Sequence, residues 1–319
     1  MRLYYSFNQF LREKFGCKVW KLSLNAEFSC PNRDGTLSRE GCVFCNNKAF
    51  SYFVKEPAPL KKQILHSMEY ARRRFKAKKF IAYFQSFTNT YGEIEELKKR
   101  YEVIREFPEI VGLSISTRPD CVDKEKLKLI QSYTKNYMVW IEYGLGSIHN
   151  KSLALLNRNH TFEDFLKAVE LTKNRDIFIG VHIILGIPTE TRKDILNTAK
   201  VLSRLPLWGV KFHCLHVVKD TKLEKLYNQA QVGVLSWREY VGLLCDFLEL
   251  IPSEWVILRL VSEACPDYLV APQWLNQKQF ILREIEKELI RRNSWQGKRL
   301  VLEKNEGSYS KGRRSSSLP

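Results

Sequence analysis

Ile177-Phe-Ile-Gly-Val-His-Ile-Ile-Leu185 is an almost unbroken apolar run, rich in β-branched residues. A strand with one wet face alternates apolar and polar residues, whereas a run like this one suits a strand covered on both faces, as in a parallel sheet. A helical pattern follows from Thr189 to Leu205. The same couplet recurs along the chain. Strands are expected at Lys18–Leu24, Phe80–Phe84, Ile110–Ser116, Met138–Leu145 and Val210–Val217, with helical patterns at Pro59–Phe75, up to Glu106, near Lys124–Tyr133, Ser147–Leu156 and Phe162–Lys173. Six strand–helix repeats without hairpin signals predict parallel strands joined by right-handed crossovers. The fold class expected is α/β, a partial (β/α)6 TIM-like barrel with a C-terminal α/β extension.

Three segments are expected. Residues 1–220 form the barrel, with a cysteine loop at 29–46. Residues 221–303 form an extension over the substrate side, in which Ser236 caps a helix to Leu250, Val256–Val261 is a strand and Gln273–Arg292 a long helix. Residues 304–319 are Ser-rich and basic and read as a disordered tail.

In such barrels the chemistry sits at the C-terminal ends of the strands. Polar residues and glycine collect there: Gln85, Ser86, Thr117, Glu142, Gly186 and His216. The loop after the first strand belongs to the same face and carries Cys30, Cys42 and Cys45, spaced C-x11-C-x2-C. A structural zinc site is closed by four ligands, and a fully protein-ligated [4Fe–4S] cluster takes four thiolates. Three thiolates on four irons leave one iron open to a small molecule. The alternative is a zinc site closed by Cys17, in a non-catalytic nucleic-acid-binding protein.

The chain has 319 residues, 44% of them hydrophobic, enough for a full core. No run is long and apolar enough to span a membrane, and the N-terminus lacks a signal-peptide core, so the expected location is the cytoplasm. Eight cysteines there argue for thiols and metal ligands, not disulfides. The formal charge of +17 favours polyanionic partners. The clusters Arg72, Arg73, Arg74, Lys76, Lys78 and Lys79, and Arg291 and Arg292, are the candidate nucleic-acid contacts; a solvated basic surface is the plainer reading.

Beyond the cysteines, the chain resembles the radical SAM superfamily. The resemblance rests on Ser29-Cys-Pro-Asn-Arg-Asp-Gly-Thr-Leu37, Lys79-Phe-Ile-Ala-Tyr-Phe-Gln85, Val111-Gly-Leu-Ser-Ile-Ser-Thr-Arg-Pro-Asp120, Leu185-Gly-Ile-Pro-Thr-Glu-Thr191 and His213-Cys-Leu-His216. The eleven-residue first gap matches a bacterial subfamily with a long cysteine loop, related to the radical SAM domain of the elongator catalytic subunit. The resemblance implies a [4Fe–4S] cluster on the three cysteines, S-adenosylmethionine (SAM) on its open iron, and an electron donor such as flavodoxin or ferredoxin. It implies that Glu142 contacts the ribose and that Arg158 lies near the sulfonium or carboxylate. It places Gln85 and Ser86 at the amino-group motif, and Ile184 and Gly186 near adenine, with Thr117 and His216 at neighbouring strand ends. For Glu142 the alternative is a buried carboxylate paired with Lys or Arg. His182 and His213 read as core or supporting groups.

The subfamily link further implies transfer RNA as partner and remodelling of the carboxymethylaminomethyl side chain of the wobble uridine to aminomethyl. A small metabolite or a protein is the alternative substrate.

Overall fold

The computed structural model describes residues 2–300, so the expected tail at 304–319 lies outside the described residues. Nine strands are described: β1 Val19–Leu24, β2 Lys79–Phe84, β3 Ile110–Thr117, β4 Met138–Gly146, β5 Phe178–Leu185, β6 Gly209–Cys214, β7 Val217–Val218, β8 Val256–Arg259 and β9 Leu269–Ala271. The helices are α1 Phe7–Phe15, α2 Tyr52–Lys55, α3 Leu60–Phe75, α4 Ile94–Glu102, α5 Lys124–Ser132, α6 Asn150–Leu155, α7 Phe162–Thr172, α8 Arg192–Leu202, α9 Lys222–Asn228, α10 Trp237–Leu248 and α11 Lys278–Arg291.

Seven strands form one sheet in the order β1-β2-β3-β4-β5-β6-β8, and every pairing in it is parallel. The α/β barrel class therefore holds, with a seventh strand. That strand, β8, comes from the segment expected as an extension, and it closes on β6. The sheet curls: Lys21 on β1 reaches Glu142 on β4, and Lys211 on β6 reaches Tyr83 on β2. Side chains on non-adjacent strands of a flat sheet could not touch.

Alternation along β4 shows how the interior is layered. Val139, Ile141, Tyr143 and Leu145 face the helical shell and join the main core. Met138, Trp140 and Glu142 face inward. The lowest inner layer is apolar, and α1 seals it: Phe7 and Phe10 meet Trp140 edge-on at 5.8 Å each. The expected element pattern does not include this helix. Its N-cap is Ser6, whose hydroxyl accepts from the Gln9 amide. Two glycines make room in the wall. A Cβ at Gly180 would sit 2.8 Å from Leu258, and one at Gly209 would collide with the Val256 carbonyl.

In the C-terminal segment, Ser236 and Glu239 form a capping box at the start of α10, as the sequence predicts. The expected helix from Gln273 begins as a 3-10 turn at Gln273–Gln277 and becomes α11 at Lys278. No helix among the described residues is long and apolar enough to cross a membrane.

Candidate active site

Between β1 and α2 the chain has no strand or α-helix, and its own amides fold the cysteine loop. Arg33 N donates to Cys30 O at 2.8 Å, Leu37 N to Pro31 O at 2.7 Å and Cys45 N to Cys42 O at 3.0 Å. Gly41 turns the chain at φ +73, a left-handed conformation that favours glycine. The loop is then pinned to the turn after α6. Asn32 Nδ2 donates to Asn157 O at 2.6 Å, Asn157 Nδ2 to Gly41 O at 2.6 Å, and Asn159 Nδ2 to Asn32 Oδ1 at 2.5 Å. Asn157 and Asn159 both have φ of 50°, which Asn tolerates better than most residues. Arg118 holds the same turn from β3, donating to Arg158 O at 2.7 Å while paired with Asp120 at 2.6 Å. Arg118 and Asn32 lie in stretches that carry the resemblance, but the sequence assigns no role to them or to Asn157 and Asn159. The signal was the Asn-Arg-Asn triplet itself, whose flanking residues suit left-handed turns.

Cys30, Cys42 and Cys45 line one cavity of about 160 Å³ together with Gln85, Thr117, Arg158 and Arg33. Burial, and next the neighbouring Cys42, push the Cys45 thiol up to about 11. Arg158 Nη1 donates to Cys42 Sγ at 3.3 Å, a hydrogen bond that strengthens when the sulfur is a thiolate. Arg158 is otherwise anchored on the Gly144 carbonyl, and its Nε is buried without a partner. A soft, three-thiolate donor set of this kind suits an iron–sulfur cluster. A zinc site does not fit. Cys17 precedes β1, at the α1-sealed end, whereas the loop follows β1, so roughly 20 Å of strand separates them at ~3.3 Å per residue. Among the described residues no three His, Cys, Asp or Glu side chains converge on a single metal ion.

A second cavity, of about 340 Å³, opens beside the first. Both are lined by Cys45, Asn47, Gln85, Ser116 and His182, so they form one continuous site. Ser86, Ile184 and His216 line the larger part. Buried polar atoms without partners face it: Ser86 Oγ, Asn47 Nδ2 and His216 Nε2. His216 Nδ1 donates to Cys214 O at 2.7 Å, so Nε2 is an acceptor, and burial holds the ring neutral, with its pKa lowered to about 4. Phe44 and Phe50 supply apolar wall on the cysteine side. Gly186 stands apart from the cavity lining. Its φ is +90 and the Leu235 side chain approaches within 2.9 Å of where a Cβ would be, so the glycine serves a close packing contact.

Glu142 requires a correction. It is not at a strand end but is the fifth of nine residues in β4, and it is fully buried. Its oxygens are already taken. Lys21 and Ser114 donate to Oε1, Ser114 at 2.5 Å; Lys211 at 3.1 Å and His182 at 2.9 Å donate to Oε2. The reason is the strand's inward alternation, which places the carboxylate in a polar layer between the apolar plug and the cavity. Burial alone would raise its pKa, but Lys21, Lys211 and His182 together hold it well below the usual carboxylate range. Burial conversely pulls Lys211 down to about 7 and His182 to about 3.

The first basic cluster lies away from the cysteine loop. In a βα repeat the helix returns the chain to the start of the next strand. The stretch Arg72, Arg73, Arg74, Lys76, Lys78 therefore ends at Lys79, the first residue of β2, on the face opposite the cysteine loop. Arg72 pairs with Glu109 at 2.6 Å and Arg291 with Glu288 at 2.8 Å. Arg292 is committed to the fold, bridging Asp246 at 2.8 Å and Glu288 at 2.6 Å, and is a structural ion-pair residue instead of a free phosphate contact.

A seven-stranded parallel half-barrel with three cysteines after β1 and an open cavity beside them defines an enzyme built around an iron–sulfur cluster and a small bound cofactor. The Radical SAM superfamily model matches residues 35–202 and the Radical_SAM C-terminal domain model residues 207–291. The chain belongs to the radical SAM superfamily, whose members use a [4Fe–4S] cluster and SAM. It is 36% identical over 296 residues to the protein YtqA of Bacillus subtilis, covering 92% of each chain. It is 26% identical over 177 residues to the tRNA uridine(34) acetyltransferase of Methanocaldococcus infernus, which is 54% of this chain and 32% of that one. Among solved structures, the archaeal Methanocaldococcus infernus Elp3 with an N-terminal deletion matches with a TM-score of 0.59 at 19% identity, covering 85% of this chain and 63% of that one.

Proposed function

We propose that this radical SAM enzyme acts on the side chain of the wobble uridine of transfer RNA, remodelling a carboxymethylaminomethyl group. The observation that carries the reading is the similarity over 177 residues to a tRNA uridine(34) acetyltransferase, and the formal charge of +17 supports an anionic polymer as partner. When bound, the cluster and SAM supply a 5′-deoxyadenosyl radical able to take hydrogen from an unactivated carbon, using an electron from a donor such as flavodoxin or ferredoxin. Cys30, Cys42 and Cys45 would hold the cluster, and Arg158 would support the Cys42 thiolate. Gln85, on the wall shared by the two cavities, Thr117 on the cysteine side, and Ser86, Ile184 and His216 in the larger part would hold SAM. Phe44 and Phe50 would keep water from the reacting atoms, and the protein's task is this orientation and exclusion.

A second reading, a small metabolite substrate, is favoured by the placement of the Arg72–Lys79 stretch on the far face and by a cavity of only about 340 Å³. The two are separated by 5′-deoxyadenosine formation in the reconstituted enzyme. Transfer RNA from a strain lacking the gene should stimulate it, and fully modified transfer RNA should not. Equal rates with and without either RNA would favour the metabolite.

A further inference from the structure

We propose that the floor of the larger cavity is a binding site for an anionic group of the substrate, a carboxylate or a phosphate, with Arg259 as its anchor and Lys211 beside it. The charges of the barrel interior do not balance. Lys21, Lys211 and Arg259 project into it from β1, β6 and β8, while Glu142 is the carboxylate that faces them. Glu142 gives its oxygens to Lys21, Ser114, Lys211 and His182. Arg259 is left with an imidazole. Its Nη2 donates to His213 Nδ1 at 2.7 Å, and its Nε is buried without a partner. Glu263, the carboxylate at the cavity rim, is paired with Lys278 at 2.9 Å.

A guanidinium enclosed without a counter-ion is costly, and unlike lysine it cannot shed its proton. Its planar fork matches a carboxylate or phosphate in two parallel hydrogen bonds. Arg259 and Lys211 line the larger cavity and are absent from the lining of the cysteine cavity, and their hydrogen bonds run to His213, Tyr83 and Glu142 instead of to the residues proposed to hold SAM. The site thus asks for an anion at its floor. The inference takes from the preceding reading only that the substrate enters this cavity. If the wobble-uridine reading holds, the carboxylate of the carboxymethylaminomethyl group is the anion.

The test uses acetate and inorganic phosphate as probes, so it stands or falls separately from any transfer RNA result. Their dissociation constants for the reconstituted, SAM-loaded enzyme are measured by ligand-observed NMR at fixed ionic strength, for the wild type, Arg259→Gln and Arg259→Lys. The expected result is at least tenfold weaker binding of one probe to Arg259→Gln, partial recovery in Arg259→Lys, and SAM affinity within twofold of wild type. Selective loss of acetate identifies a carboxylate substrate, and selective loss of phosphate a phosphorylated one. Unchanged constants for both probes, or a tenfold loss of SAM affinity, would overturn the assignment. Should Arg259→Gln not fold, phenylglyoxal modification of the wild type, mapped by peptide mass spectrometry, decides instead. Protection of Arg259 by either anion supports the site, and equal modification with and without them overturns it.

Discussion

Replacing Glu142 by Gln keeps the shape of the side chain and removes the carboxylate that neutralises the barrel interior. Removing one partner of a buried ion pair costs about 3–5 kcal/mol. Two features place this site near the lower end of that range. Gln can still accept from Ser114 or His182, and Lys211, held near 7 even beside Glu142, can lose its proton. We expect about 3 kcal/mol of lost stability at pH 7.5. The sign of the pH dependence follows from Lys211. Its folded-state pKa lies below its ordinary value, and loss of Glu142 lowers it further. Below pH 7 the wild type folds with the Lys211 proton in place, whereas the variant must release it to fold. The variant's deficit should therefore grow as pH falls, by up to about 1.4 kcal/mol per pH unit. Urea unfolding of both proteins at pH 6, 7 and 8.5 measures this, provided the m-values agree. Adding Lys211→Met to the variant should narrow the gap, since the cation left uncompensated is gone. A deficit under 1 kcal/mol that does not change with pH would refute the reasoning.

Changing Cys30, Cys42 or Cys45 to Ala should abolish the iron–sulfur absorbance after anaerobic reconstitution, whereas Cys17→Ala, about a strand length away, should retain full iron content. Gly209→Ala should destabilise the fold by about 1–3 kcal/mol in chemical denaturation, because the new Cβ would collide with the Val256 carbonyl in the β6–β8 pairing. Reversing the charge of Arg72, Arg73 and Arg74 should leave the affinity and the salt slope of transfer RNA binding nearly unchanged, because the crossover carries this stretch to the start of β2, away from the cysteine loop. Iron content and SAM affinity should stay unchanged in that variant, since the stretch lies on the opposite face of the barrel.

The sheet was legible because a parallel strand covered on both faces leaves a continuous apolar run, and Ile177–Leu185 and Met138–Leu145 carry that mark without competition. The α1 plug was not, because Phe7, Phe10 and Phe15 meet Trp140 and Phe178 only once the barrel has closed, and nothing local announces that packing. The cysteines were legible from spacing alone. Glu142 lies inside the expected strand Met138–Leu145 as well as inside β4, and its structural role was not legible because Lys21, His182 and Lys211 reach its oxygens from other strands only once the sheet has curled. The Arg72–Lys79 stretch looked like a substrate contact in linear sequence, but crossover geometry carries it to the far face. Arg259-Leu260 fits the resemblance, but a single basic residue in the expected strand Val256–Val261 carries no role in linear sequence. Its meaning lies in the carboxylate it lacks, and a missing partner becomes visible only in three dimensions.

Nucleoside mass spectrometry of transfer RNA from a strain lacking the gene tests the central claim most directly. The account predicts accumulation of carboxymethylaminomethyl-uridine at the wobble position and loss of the nucleoside derived from it, both restored by the wild-type gene and not by a Cys42→Ala copy. A wobble-nucleoside profile identical to that of the parent strain would contradict it.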